Sequence, residues 1–113
     1  MRIYLSGPMT GIPDKNAPTF LAAEGFCEAR GWTVENPIRL DEELEAMHKR
    51  IGKPPPTYQQ YLKRDIQLLT WCDAIVMLPG WQRSYGACLE RQIGMSIGLT
   101  VYYLLEDVPW VCK

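Results

Sequence analysis

A short apolar run over residues 74–78 (AIVML) is closed by Pro79-Gly80 and followed, after a polar loop, by a helical pattern over 86–97. The run has the length and continuity of a strand buried on both faces, as in a parallel sheet. At 100° per residue, Gly86, Ala87, Ile93, Gly94 and Ile97 lie within about 60° of Glu90. Cys88, Arg91, Gln92 and Met95 fall well away from it. Glu90 therefore sits at the centre of the helix's small apolar face, where a carboxylate is costly unless something needs it. It is also one turn inside a helix that begins at the carboxyl end of a strand, where open α/β sheets bind their ligands. Gly86 and Gly94 leave room beside it. The plain alternative is a buried Glu paired with an arginine.

The chain's 113 residues suit one domain spanning 1–113, with a radius of gyration of about 13 Å and a core that needs no staples. A net charge of −1 and the lack of a basic cluster argue against a nucleic-acid polymer as partner. No apolar run is long enough to span a membrane. The first residues enter a strand directly, with no signal-peptide pattern, so a cytoplasmic location is expected. The four cysteines have no metal-ligand spacing and His48 is the sole histidine. No metal site, no cofactor and no Cys-His nucleophile are therefore expected. Cys27 and Cys72 read as buried, reduced thiols.

Residues 2–5 form a first strand that runs into Ser6-Gly-Pro-Met-Thr-Gly11, a turn-rich loop whose glycines and hydroxyls can approach a ligand. The spacing is neither GxGxxG nor a Walker loop. Asn16 is placed to cap a helix with Pro18 in its first turn and Phe20, Leu21, Ala23, Phe26 and Cys27 on its buried side; Gly31 ends it. A strand over 32–34 and a helix over 40–51 follow. Lys53-Pro-Pro-Pro56 is a stiff connector, and 36–56 reads as a flap-like insertion. Thr57-Tyr-Gln-Gln60 has capping-box form and opens a helix to about 69. Its apolar stripe is Tyr58, Leu62, Ile66 and Leu69, with Lys63 and Arg64 on the solvent face. Asp65 falls inside that stripe, a second acid on an apolar face. It could be held by Tyr4 or by a backbone amide, or share a site with Glu90. A last strand over 100–104 and a short tail bearing Trp110, suited to packing on a neighbouring subunit, complete the order β-α-β-α-α-β-α-β. That order implies an α/β fold with a small, covered parallel sheet.

Tyr4, the loop SGPMTG, Asp65, Asp73 and Ser84-x-Gly86-x-x-x-Glu90 together resemble the nucleoside 2-deoxyribosyltransferase family, most closely its short phage and bacterial relatives that open with SGPMTG. The resemblance implies a flavodoxin-like, Rossmann-like three-layer sandwich, assembled as a homodimer or larger homo-oligomer. It implies cleavage of the N-glycosidic bond of a 2′-deoxynucleoside or its 5′-monophosphate through a covalent deoxyribosyl-Glu. Glu90 matches the nucleophile, Asp65 the acid that assists base departure, and Tyr4 the tyrosine that orients the Glu. Ser84 matches a sugar- or phosphate-binding residue. Ser6, Gly7, Met9, Gly11, Trp81 and Gly86 are the further substrate-binding candidates. Gly94-Met95-Ser96 departs from the family's Gly-Tyr-Ala, and 36–56 has no counterpart.

The chemistry suits the residues in its own right. Breaking an N-glycosidic bond creates oxocarbenium character that a carboxylate can stabilise or trap, and the leaving base needs a proton from a second carboxyl. A neutral residue at Ser84, the helix N-terminus behind it and Arg83 favour a 5′-phosphate. The competing expectations are a module that binds or senses a nucleotide without turnover, and a structural protein whose acids pair with arginines.

Overall fold

The computed structural model describes residues 1–111. Strands β1 (Arg2–Ser6), β2 (Thr33–Glu35), β3 (Ala74–Met77) and β4 (Thr100–Tyr102) form an all-parallel sheet in the order β2-β1-β3-β4. Helices α1 (Ala17–Ala29), α2 (Pro37–Arg50), α3 (Tyr58–Leu69) and α4 (Tyr85–Ser96) flank it. This is the three-layer α/β sandwich of flavodoxin-like form, with the element order expected from sequence.

Strand alternation builds the two outer layers. Ile3 and Leu5 of β1 join Ala74, Val76 and Leu78 in a core with Phe20, Ala23 and Cys27 of α1. Tyr4 of β1 joins Ile75 and Met77 in a second core on the opposite face, with Leu69 from α3 and Ala87 from α4. The chain leaves β1 for β2 on one side and enters β3 on the other, so strand order reverses between β1 and β3. A crevice forms at the carboxyl ends of strands where such a reversal occurs.

Two glycines make the close contacts this packing requires. A Cβ on Gly7 would lie 2.9 Å from Leu78 Cβ, so the loop after β1 can cross the end of β3 only without a side chain there. A Cβ on Gly94 would meet Ile75 Cγ2 at 3.4 Å. Gly94 thus seats α4 on the sheet rather than making room for a ligand. Gly86 faces open space, as expected.

Residues 36–56, read as a flap-like insertion, comprise α2 and the connector beyond it. Asn36 Oδ1 accepts the Ile38 N–H at 3.0 Å, Pro37 and Ile38 are buried, and His48 Nδ1 lies 2.9 Å from the Pro54 carbonyl. The capping box of α3 forms in both directions, Thr57 N–H to Gln60 at 2.9 Å and Gln60 N–H to Thr57 at 3.3 Å. Asn16 departs from its expected role. It ends a left-handed run with Asp14 and Lys15, makes no side-chain cap, and donates to the Pro8 carbonyl at 3.0 Å instead. Leu21, Tyr58 and Ile97 are exposed rather than packed, and α4 stops at Ser96.

The tail turns back on its own chain. Val108 is fully buried in the α1-side core, the Trp32 indole donates to the Pro109 carbonyl at 2.8 Å, and Arg30 lies over the Trp110 ring. Cys27 and Cys72 are buried free thiols; burial pushes them up to about 11 and about 12, so both are protonated at neutral pH. Cys112 lies outside the described residues. No helix among the described residues is long and apolar enough to cross a membrane.

Candidate active site

Tyr4 and Ser6 are two residues apart on β1, so their side chains leave the same face of the sheet. Both meet Glu90, which α4 directs down onto the strand. Tyr4 Oη donates to Glu90 Oε2 at 2.6 Å and Ser6 Oγ donates to Oε1 at 2.6 Å. Each carboxyl oxygen is thus fixed by one hydroxyl, and all three side chains are buried. No arginine or lysine pairs with Glu90 among the described residues. The plain reading of an arginine-paired Glu does not hold here.

Glu90 lies at the floor of a cavity of about 980 Å³. Its walls are the loop after β1 (Gly7, Met9 and neighbours), Pro37 and Asp41 of α2, Tyr58, Tyr61 and Asp65 of α3, and residues 79–80 and 83–87 leading into α4. The opening of α4 is set by Ser84, whose Oγ accepts the Ala87 N–H at 3.1 Å. Ser84 is therefore the cap, and its own hydroxyl proton remains available toward the cavity it lines.

Asp65 faces the same space, but with a partner the helical phase does not suggest. Arg64 Nη2 lies 2.6 Å from Asp65 Oδ1 and 2.6 Å from Asp41 Oδ1, with Nε 3.1 Å from Asp65. Helical phase puts Arg64 on the solvent face; its side chain is only 16% exposed, folded back between two acids on two helices. The α2 carboxylate supplies the second anchor that turns it inward.

These surroundings separate the two acids. Burial, then repulsion from Asp65, pushes Glu90 up to about 8 against the opposing pull of the Ser6 and Tyr4 hydroxyls. Burial raises Asp65 as well, but the Arg64 guanidinium opposes it. Asp65 has the Arg64 guanidinium beside it and Glu90 has no cation, which favours the proton of the pair on Glu90 over Asp65. Burial also raises Tyr4 well above its ordinary value, so it stays a hydrogen-bond donor. A third buried acid, Glu24, makes the contrast. Both its oxygens are held by Arg39, at 2.9 and 2.7 Å, and one by Asn36 at 3.0 Å. Those bonds to Arg39 hold it below its ordinary value. Glu24 is a structural ion pair and lines no cavity described; Glu90 is the reverse.

Of the residues expected to form a site, Glu90, Asp65, Gly7, Met9, Ser84 and Gly86 line the cavity, with Tyr4 and Ser6 behind Glu90. Gly11 and Trp81 do not line it. Gly11 is an exposed loop residue at φ +79°, and Trp81 packs beside Tyr103 and Arg91 on the outer side of α4. Asp73 is at the other end of the sheet, accepting the Arg2 N–H at 2.8 Å. Sequence reasoning misses Asp41, Tyr61 and Arg64, because they meet only through the packing of α2 on α3. No group of three or more His, Cys, Asp or Glu among the described residues is arranged to hold a metal ion.

A family model described as Domain of unknown function (DUF4406) matches residues 1–103 of the chain. No curated protein matches it.

Proposed function

We propose that this chain, which belongs to the family described as Domain of unknown function (DUF4406), cleaves the N-glycosidic bond of 2′-deoxynucleoside 5′-monophosphates. The nucleophile is Glu90 and the product of the first step a deoxyribosyl ester of it. The observation that carries this reading is a carboxyl buried at a cavity floor, with both oxygens aimed by hydroxyls and no cation to neutralise it. Such a group is costly to keep for structure alone.

The Glu90–Asp65 pair holds one proton, and the reaction uses it. As the C1′–N bond breaks, the proton passes through Asp65 to a ring nitrogen of the base, which takes the bonding electrons. Glu90, left as a carboxylate, forms the bond to C1′. Water then attacks C1′, the ester oxygen departs as the Glu90 carboxylate, and the water's proton returns to the pair. Deoxyribosyl transfer differs only in that a second base replaces water. Tyr4 and Ser6 hold the nucleophile in line throughout. The phosphate is taken by the Ser84 hydroxyl, the amides opening α4 and Arg83, all at the cavity rim.

The second reading is nucleotide binding without turnover. The protonated state of Glu90 favours it, since a neutral acid donates a hydrogen bond but attacks poorly. One experiment separates the two: incubation with the four deoxynucleoside monophosphates and chromatography for free base. Release of base supports the enzyme; tight binding with no release supports the sensor.

A further inference from the structure

Asp41 presents an unused acceptor to the cavity. Its Oδ1 is held by Arg64 at 2.6 Å, while Oδ2 makes no hydrogen bond among the described residues. The side chain is 17% exposed and lines the cavity wall, and Oδ2 stays accessible rather than sealed in the core. Glu24, by contrast, has both oxygens occupied. The seam that carries Asp41 is built for rigidity. Tyr61 Oη donates to Glu45 at 2.7 Å, tying α3 to α2 one turn beyond Asp41, and Arg64 ties them again through Asp41 and Asp65. Tyr61 lines the same stretch of wall, giving a base an aromatic edge beside the acceptor.

We propose that Asp41 selects the nucleobase, favouring bases that carry an exocyclic amino group over their oxo counterparts. This rests on the nucleotide reading above. A fixed carboxylate oxygen accepts an amino N–H. An oxo analogue turns carbonyl lone pairs toward the same oxygen and leaves a desolvated charge without a donor. Arg64, at 2.6 Å from Oδ1, fixes the Asp41 side chain in the orientation that this discrimination needs. Adenine against hypoxanthine, and cytosine against uracil, exchange amino for oxo, with the adjacent ring nitrogen gaining a proton, while sugar and phosphate stay unchanged.

The test is isothermal titration of the Glu90→Gln chain, whose neutral amide stands in for the protonated acid and blocks turnover. The ligands are dAMP, dIMP, dCMP and dUMP. Each amino nucleotide should bind about tenfold or more tightly than its oxo partner. Adding Asp41→Asn, whose amide presents either a donor or an acceptor, should reduce that ratio to about threefold or less. Binding of all four with equal affinity overturns the base assignment and leaves nucleotide binding standing, as does a preference that survives Asp41→Asn. Binding of none overturns both. If Asp41→Asn fails to fold by circular dichroism, the four-ligand comparison on the Asp41-bearing chain decides alone.

Discussion

Tyr4 Oη and Glu90 Oε2 stand 2.6 Å apart across 86 residues of sequence, both side chains withdrawn from water. Because Ser6 takes the other oxygen from the same strand face, the carboxyl plane is fixed relative to the sheet rather than to α4. A carboxyl anchored on β1 is positioned independently of the loops that form the cavity rim.

Glu90→Gln should remove base release, by about a thousandfold or more, because an amide oxygen is a far weaker nucleophile. The fold should survive, since Gln keeps an acceptor for at least one of the two hydroxyls. With a slow substrate, intact-protein mass spectrometry should show a deoxyribosyl adduct on the parent and none on the variant. Unchanged release by Glu90→Gln would falsify the covalent role.

Stability should fall as pH rises from about 5 to about 8.5. Glu90 titrates at about 4.3 when unfolded and at about 8 when folded. Its protonated form is thus favoured by folding, and that contribution is fully present below the unfolded value and lost as pH climbs through the folded one. Asp65 is raised too and acts in the same direction. Glu24, held low, stabilises throughout this window and loses that contribution only as pH falls below it. Urea midpoints should drop across the range by an amount corresponding to about a few kcal/mol, and Glu90→Gln should flatten the profile. A flat parent profile would contradict the burial of Glu90 in a protonated state.

Much of the site is legible in the sequence because helical phase reports depth. Glu90 and Asp65 stand out as acids inside apolar stripes, and both line the cavity. Glu24 carries the same signal, between Phe20 and Cys27 on one face of α1, and the sequence reading passes over it. Arg64 is not legible in this way. A long side chain can reverse its helical phase when a partner on another element draws it in. Asp41 on α2 is that partner, and its position depends on how α2 packs. Val108 is hidden for a related reason: one apolar residue in a short polar tail has no periodicity. Trp81 and Gly11 show the converse, residues next to motif positions that chain direction carries out of the cavity.

Arg64→Met should destabilise the fold by about 3 kcal/mol, because it leaves Asp41 and Asp65 without their shared cation. Asp65 should then rise further, moving the acid limb of the kcat/KM profile to higher pH. Arg64→Lys should restore part of the stability but not the two-carboxylate geometry. A profile that stays in place in a folded Arg64→Met chain would show that Arg64 does not set the Asp65 charge.

A second copy of the chain should cover the outer side of α4 and the β4 edge, giving a dimer. Met95 and Ile97 are exposed at the end of α4, and Tyr103 and Leu104 just past β4, an unusual set of apolar groups to leave in water. The tail, which the sequence suggests for a neighbouring subunit, touches Trp32 and Arg30 of its own chain and still leaves Trp110 63% exposed. Light scattering at micromolar concentration should give twice the 13.0 kDa chain mass, and Met95→Glu with Leu104→Glu should halve it. A monomeric parent would remove the assignment.

Ser84→Asp should convert a preference for monophosphates into a preference for free nucleosides. Asp caps helices as well as Ser does, so the Ala87 N–H keeps its acceptor and α4 its start. What changes is charge. A phosphate seated at the α4 N-terminus meets about half a positive charge from the helix, and in the parent only a neutral hydroxyl beside it. In the variant, a carboxylate about 4 Å from the phosphate repels it by roughly 4 kcal/mol per charge pair at an effective dielectric of 20. Solvent at the rim reduces that figure without changing its sign. Arg83 is exposed on the same rim and should partly offset the loss at low salt. The expected result is a fall of about a hundredfold in kcat/KM for the monophosphate, with the nucleoside value held or raised. Equal values for nucleoside and monophosphate in the parent, or full monophosphate activity in the variant, would place the phosphate elsewhere and leave Ser84 as a helix cap alone.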